Sequence, residues 1–457
     1  MPQFLSARPD ARLIPLPWEL PLADWPTGLL VALPRGISRH VVRFIKVGGS
    51  VYAAKEVLEH LARHEYRLLT ELHRAHTPSV EPVAVITGRE DAEGNPLDPV
   101  LVTRHLEFSL PYRSLFAQGV RAETVSRLLD ALVLLLARLH LVGFLWGDVS
   151  LSNVLFRRDA GEFAAYLVDA ETGELHPRLT DGQREHDLMI ATTNLYGEFC
   201  DLQAGNLLDE SLEPQRLVES ILARYRELWV ELTGVEEFAD TELSRIEKRV
   251  RRLNALGFDV AELAIDTLAD GSRIRIQPKV VDAGHHSRRL LRLTGLDVEE
   301  NQARRLLNDL DTFRARTGQS HIDEPVVAHQ WLTDQFQAVV DAVPQELRGK
   351  RDAAQLYHEL LDYRWYASQA QRREVPLAEA TAGYIRDVLT TLPDEVVAAA
   401  DGRQLANPFD PSQGYADDDD TPMPIDPWES GEMPAMRADV LDIEALRRKA
   451  RESGSAL

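Results

Sequence analysis

The chain has 457 residues, of which 44% are hydrophobic and 27% charged, with a formal net charge of −22. That balance suits a globular protein of two or three domains, and the acidic excess argues against sequence-independent binding to nucleic acid, which sets Lys and Arg against phosphates. The single cysteine, Cys200, excludes an internal disulfide framework and reads as a core residue in a reducing, cytoplasmic setting.

No basic, apolar leader follows Met1, so no signal peptide is expected. The most apolar run, 128–146, contains Asp130, Arg138 and His140 and reads as a buried helix rather than a membrane span. Only six of the basic residues are lysines, which makes a well-placed Lys informative.

Residues 1–24 carry prolines at 15, 17 and 21 that forbid a regular helix, so an extended arm is expected, packing its Leu and Trp residues onto the first lobe. Three strands are predicted over 29–33, 40–47 and 50–57, the last two joined at Gly48-Gly49. Lys55 lies on the third, either exposed or functional. The spacing of Leu58, Leu61, Tyr66, Leu68, Leu69 and Leu72 predicts a helix over 57–73. Glu65 sits ten residues after Lys55, with Glu59 as a second candidate partner. Strands at 78–85 and 100–103 flank a polar loop, and Thr103 to His105 lead into a linker. Arg113 either faces a cleft or is solvated.

A long helix is predicted over 123–140, then the stretch LHLVGFLWGDVSLSNVLFRRDAGEFAAYLVDAE. In it Asp148 is followed five residues later by Asn153, and an apolar strand leads to Asp169. Strands at 154–156 and 166–168 around a turn at 157–162 would bring Asn153 and Asp169 side by side. A carboxylate is a natural proton acceptor for an aligned hydroxyl, and an amide and a carboxylate supply the hard oxygens Mg²⁺ takes. Asp187 opens a further helix, either bracing the loop or complementing the helix dipole. Helix 217–232 closes this unit.

Helix 241–258 and a hairpin at 260–265 and 273–277 start a second region. His285, His286, Arg288 and Arg289, with Arg273, Arg275 and Lys279, form a basic patch, read as a solvated helix start in preference to an anion site. No third and fourth ligand at convincing spacing accompanies the His pair, so zinc is not expected. Helices at 295–316, 324–343, 356–373 and 377–389 form a bundle with Trp331, Phe336, Tyr357, Tyr363, Trp365 and Tyr366 as core. From about Asp401 an acidic, Pro-rich linker is expected, then a short segment at 438–451 that docks as a helix or stays frayed.

Taken in order, Lys55, Glu65, Asp148, Asn153, Asp169 and Asp187 resemble the lipopolysaccharide-kinase-like branch of the protein-kinase-like superfamily. The wider string, from SRHVVRF and KEV through SLPYR and WGDVSLSN to HQWL and ELLDYRWY, resembles an uncharacterised family that joins such a domain to a C-terminal domain of unknown function, over residues 10 to roughly 395. The resemblance implies an α+β fold. A small antiparallel-sheet lobe (25–104) and a larger helical lobe (105–238) are followed by a mostly helical domain (239–396) and a tail (397–457). It implies ATP and Mg²⁺ as cofactors, with Lys55 on the nucleotide phosphates, Glu65 as its partner, Asn153 and Asp169 as metal ligands and Asp148 as base. Thr103 and His105 fall where adenine would bind. The glycine-rich loop is reduced to Gly36, where Gly36 and Ser38 read as an anion nest or an ordinary turn. Trp146 stands where the family usually has His. The expected function is phosphotransfer to a hydroxyl acceptor; a nucleotide-binding pseudokinase scaffold with a protein partner at the C-terminal domain or tail is the alternative, and nucleotidyl transfer a third reading.

Overall fold

The computed structural model describes residues 2–31, 33, 40–117, 120–234, 236–239, 248, 251–254, 256–267 and 273–395. The described residues form two units. One holds the chain to Arg157 together with Ala165–Tyr225; the other holds Arg158–Ala164 with Arg226–Glu395.

In the first unit an antiparallel sheet runs in the order Gln3–Leu5, Pro82–Thr87, Val100–Arg104, Ser50–Glu56, Val42–Val47. Gly48 and Gly49 take positive φ (56° and 85°), the two-residue turn that sets Val47 opposite Ser50 and Val42 opposite Lys55. Alternation along Ser50–Glu56 then sorts the two faces. Tyr52 and Ala54 pack with Leu13, Leu16, Trp18, Leu22 and Trp25 of the N-terminal segment. On the other face the Glu59–Arg74 helix packs Ala62 and Tyr66 on Val85 and Leu101.

Two expectations change here. Of the predicted strand at 29–33, Leu29 ends a short 3₁₀ turn, Thr27–Leu29, and the pairing is limited to a bridge from Leu30 to Ile45, with Val31 N donating to Phe44 O; position 32 lies outside the described residues. Pro26 and Gly28 favour that turn, and Gln3–Leu5 supplies the fifth strand instead. The polar loop after Thr87 contains a small ladder, Arg89–Glu90 with Pro96–Leu97, and Arg89 is fully buried.

The helical lobe is built on Ala122–Leu141, which buries Leu128, Leu132, Leu135, Leu136 and Leu139. Asp181–Ala204 starts in a capping box in which Thr180 Oγ1 accepts from Gln183 N. Pro214–Thr233 follows. The small lobe of sheet and helix and the larger helical lobe match the expected two-lobed arrangement. The hairpin after Asn153 is longer than predicted: Val154–Asp159 and Glu162–Leu167 turn tightly at Ala160 and Gly161, both at positive φ.

In the second unit the predicted hairpin is present and longer, Phe258–Thr267 with Arg273–Ala283, and Glu236–Ala239 adds a third strand on the far side of Arg273–Ala283. Helices follow at His285–Thr294, Glu300–Arg316, Glu324–Trp331, Ala353–Gln371 and Leu377–Asp387. The core joins Trp331, Phe336, Tyr357, Tyr363 and Tyr384. Trp331 Nε1 and Tyr357 OH both donate to Asp309 Oδ2, at 2.8 and 2.9 Å. Trp365, expected in this core, is 47% exposed, and Tyr366 only packs at its edge. Asp159 accepts from Asn301 N (3.1 Å) and Gln302 N (2.7 Å), capping the first turn of Glu300–Arg316. The predicted 241–258 helix falls largely outside the described residues, as do the linker and the tail helix.

Candidate active site

Lys55 leaves its strand on the face covered by the Glu59–Arg74 helix, whose second turn brings Glu65 inward beside Ala62 and Leu69. Lys55 Nζ donates to Glu65 Oε2 at 3.0 Å and to Asp169 Oδ2 at 2.8 Å. It also lies 3.0 Å from Glu171 Oε2, as a charge contact without an aligned hydrogen bond, and His40 Nε2 is 3.0 Å from the same oxygen. Glu59, the second candidate, faces solvent and pairs with Arg63.

Burial would draw protons off Lys55, but the carboxylates of Glu65 and Asp169 outweigh it and hold the ammonium above its usual range. Burial, then the charge of Asp169, push Glu65 up to about 8 against the pull of Lys55.

Asp169 follows the strand Glu162–Leu167, and Val168 N donates to Asn153 O at 3.0 Å. This pairing sets Asn153 and Asp169 side by side. Asn153 Nδ2 donates to Asp148 Oδ2 (3.0 Å) and to Asp148 O (3.1 Å), which leaves its carbonyl oxygen as the acceptor. Oxygens of Glu65, Asp169 and Glu171 lie within 4.8 Å of one another. Carboxylate oxygens gathered in this way are the hard donors a divalent cation takes.

The loop that carries Asp148 is held by one helix, Asp181–Ala204. Asp187, fully buried, accepts from Trp146 N and Gly147 N, both at 2.7 Å. His140 Nε2 lies 3.1 Å from the same carboxylate and Nδ1 2.6 Å from Tyr225 OH; burial lowers the His140 pKa in spite of Asp187. Gly147 sits at φ 75°, where a Cβ would come within 3.0 Å of Thr172 O. Trp146 is fully buried and its Nε1 meets no hydrogen-bond partner among the described residues, so the indole fills the position by packing. Further along, Asn194 Nδ2 donates to Asp148 Oδ1 (3.0 Å), and Glu198 accepts from Leu151 N (2.7 Å) and Ser152 N (2.9 Å).

Thr103 lies within the sheet opposite Ala53 and Pro82. His105 N donates to Val51 O, and its ring packs edge-on to Phe44, 5.5 Å between centroids. Its N–H is therefore taken, and burial pushes the imidazole down to about 4. Gly36 and Ser38 lie outside the described residues. Arg113 stacks on Tyr112 and lies 3.7 Å from Asp201. In the second unit His286 contacts Glu300 at 2.7 Å and Arg289 pairs with Glu324, and His285, His286, Arg288 and Arg289 are each half-buried.

Sequence reasoning missed Glu171, Asn194 and Glu198. Two of them carry a readable signal: 187, 191, 194 and 198 recur at helical spacing, one face of a single helix.

Residues 44–198 match the lipopolysaccharide kinase (Kdo/WaaP) family, and residues 227–389 match a domain of unknown function, DUF4032. No curated protein matches the chain. Among solved structures, one described as WaaP in complex with acyl carrier protein aligns at 16% identity and a TM-score of 0.34, over 56% of this chain and 99% of that one. Among the described residues no helix is long and apolar enough to cross a membrane.

Proposed function

We propose that this chain, a lipopolysaccharide-kinase-like protein with a C-terminal domain of unknown function, is a cytoplasmic ATP- and Mg²⁺-dependent phosphotransferase that acts on a hydroxyl acceptor. The observation that carries this reading is the convergence of Glu65 and Asp169 on Lys55 Nζ, at 3.0 and 2.8 Å. Lys55 is thereby held in one place, and its charge is directed at the anionic end of a nucleotide.

Mg²⁺ held there would supply neutralisation of phosphate charge. Asp169 and the carbonyl oxygen of Asn153 would hold it, with the Glu171 carboxylate near by. Asp148 accepts the proton of the attacking hydroxyl, its carboxylate fixed by Asn153. Asp187 keeps the loop backbone in place under it. Such chemistry is mainly positioning and charge stabilisation. Thr103 and His105 would border the nucleotide.

Thermal shift with ATP, with and without Mg²⁺, tests the reading against the Asp169→Asn variant. A ligand that binds the native state raises its apparent stability. A Mg²⁺-dependent shift that the variant loses is the expected result. No shift at millimolar ATP would contradict the reading, and a shift without turnover would favour the nucleotide-binding pseudokinase scaffold.

A further inference from the structure

We propose that Asn194 is a positioning residue for phosphotransfer: it fixes the Asp148 carboxylate from the side opposite Asn153 and so sets which lone pairs remain for the acceptor hydroxyl. The inference rests on the proposed phosphotransfer and deepens it.

The geometry is that of a bracket. Asn153 Nδ2 donates to Asp148 Oδ2 at 3.0 Å and to Asp148 O at 3.1 Å. Asn194 Nδ2 donates to Asp148 Oδ1 at 3.0 Å and to Val149 O at 3.3 Å. Each amide therefore ties one carboxylate oxygen to one backbone carbonyl of the loop. An unrestrained aspartate rotates about its last bond, which exchanges its two oxygens. With both oxygens held, that rotation is stopped and each keeps one free lone pair.

The helix Asp181–Ala204 explains why the residue is an amide. Its face at 187, 191, 194 and 198 runs along the loop. At the loop's start and end the helix meets N–H groups, and it presents carboxylates there: Asp187 to Trp146 and Gly147, Glu198 to Leu151 and Ser152. Between them it meets two acceptors, the Asp148 carboxylate and Val149 O, and presents a donor to both, Asn194. Ala191, small and fully buried, lies between. A carboxylate at 194 would face a carboxylate at 148.

Asn153 also faces the proposed metal, so its loss disturbs nucleotide binding. Among the described residues the hydrogen bonds of Asn194 go to Asp148 and Val149 and not to the Lys55 cluster, which separates the two: its loss affects the reacting geometry and leaves the nucleotide in place.

The test needs no identified acceptor, because water serves. Hydrolysis of Mg-ATP is measured for the wild type, Asn194→Ala and Asn194→Asp, with Mg-ATP binding by calorimetry and melting curves beside it. We expect KM for ATP and the binding constant to stay within about twofold, kcat to fall about 10-fold in Asn194→Ala, and to fall about 100-fold or more in Asn194→Asp. The order of the two variants decides between donor and packing roles. Aspartate keeps the volume of asparagine, so a packing role makes it the milder change. Asn194→Asp at or above the activity of Asn194→Ala, or a raised KM with kcat unchanged, overturns the proposal. Should Asn194→Asp fail to fold, unchanged kcat in Asn194→Ala overturns it alone. A wild type that hydrolyses no Mg-ATP overturns the phosphotransfer reading and this inference together, whereas an active wild type with equally active variants overturns only the inference.

Discussion

The Glu171 carboxylate stands 3.0 Å from the Lys55 ammonium, in the position two residues after Asp169. Lys55 thus meets three carboxylates, and a phosphate must compete with them for it. His40 Nε2 also lies 3.0 Å from that Glu171 oxygen.

Glu171→Gln removes one competitor and one repelling charge. ATP binding without Mg²⁺ should tighten by about three- to tenfold. Calorimetry in chelator checks this, and weaker binding would show instead that Glu171 serves the nucleotide.

Glu65 makes stability pH-dependent. Its folded value of about 8 exceeds the ordinary 4.5 because the group is buried. Between those values the folded state holds a proton that the unfolded state lacks. Its contribution is full below the ordinary value and is lost as pH rises through about 8. Denaturant unfolding from pH 5 to about 9 should show a decline that Glu65→Gln flattens.

Asp187→Ala leaves Trp146 N and Gly147 N without their acceptor in a buried setting. Unfolding free energy should drop by about 3 kcal/mol or more, and turnover should fall with it. Equilibrium denaturation beside hydrolysis rates tests both.

Arg89 fixes the N-terminal segment to the sheet. Its guanidinium donates to Trp18 O at 2.9 Å, Leu20 O at 2.6 Å and Glu56 Oε1 at 3.0 Å, and also to Asp98 O. Arg89→Ala leaves the Glu56 carboxylate without its charge partner and should cost about 3–5 kcal/mol, read as a lower midpoint in urea.

The order Lys55, Glu65, Asp148, Asn153, Asp169 is legible in the sequence because each sits on an element with its own local pattern: a strand after Gly48-Gly49, an amphipathic helix, and a hairpin with a V-D end. The structure brings Lys55, Glu65 and Asp169 within hydrogen-bond distance and joins Asp148 to Asn153. Glu171 is not legible, because nothing local distinguishes an inward Glu from a solvated one. Arg89 reads as loop because burial of a charge depends on carbonyls from distant segments. Trp365 reads as core because helical spacing does not say which side of a wide aromatic stripe faces inward. The capping of Glu300–Arg316 by Asp159 joins residues 142 and 143 positions apart, beyond any local signal.

The most direct test of the central claim is release of labelled phosphate from Mg-ATP by the wild type and by Asp148→Asn, with ATP binding measured on the same samples. Phosphotransfer predicts that the variant binds Mg-ATP as the wild type does and loses at least about 100-fold in turnover. Full turnover in Asp148→Asn, or none in the wild type, would contradict it.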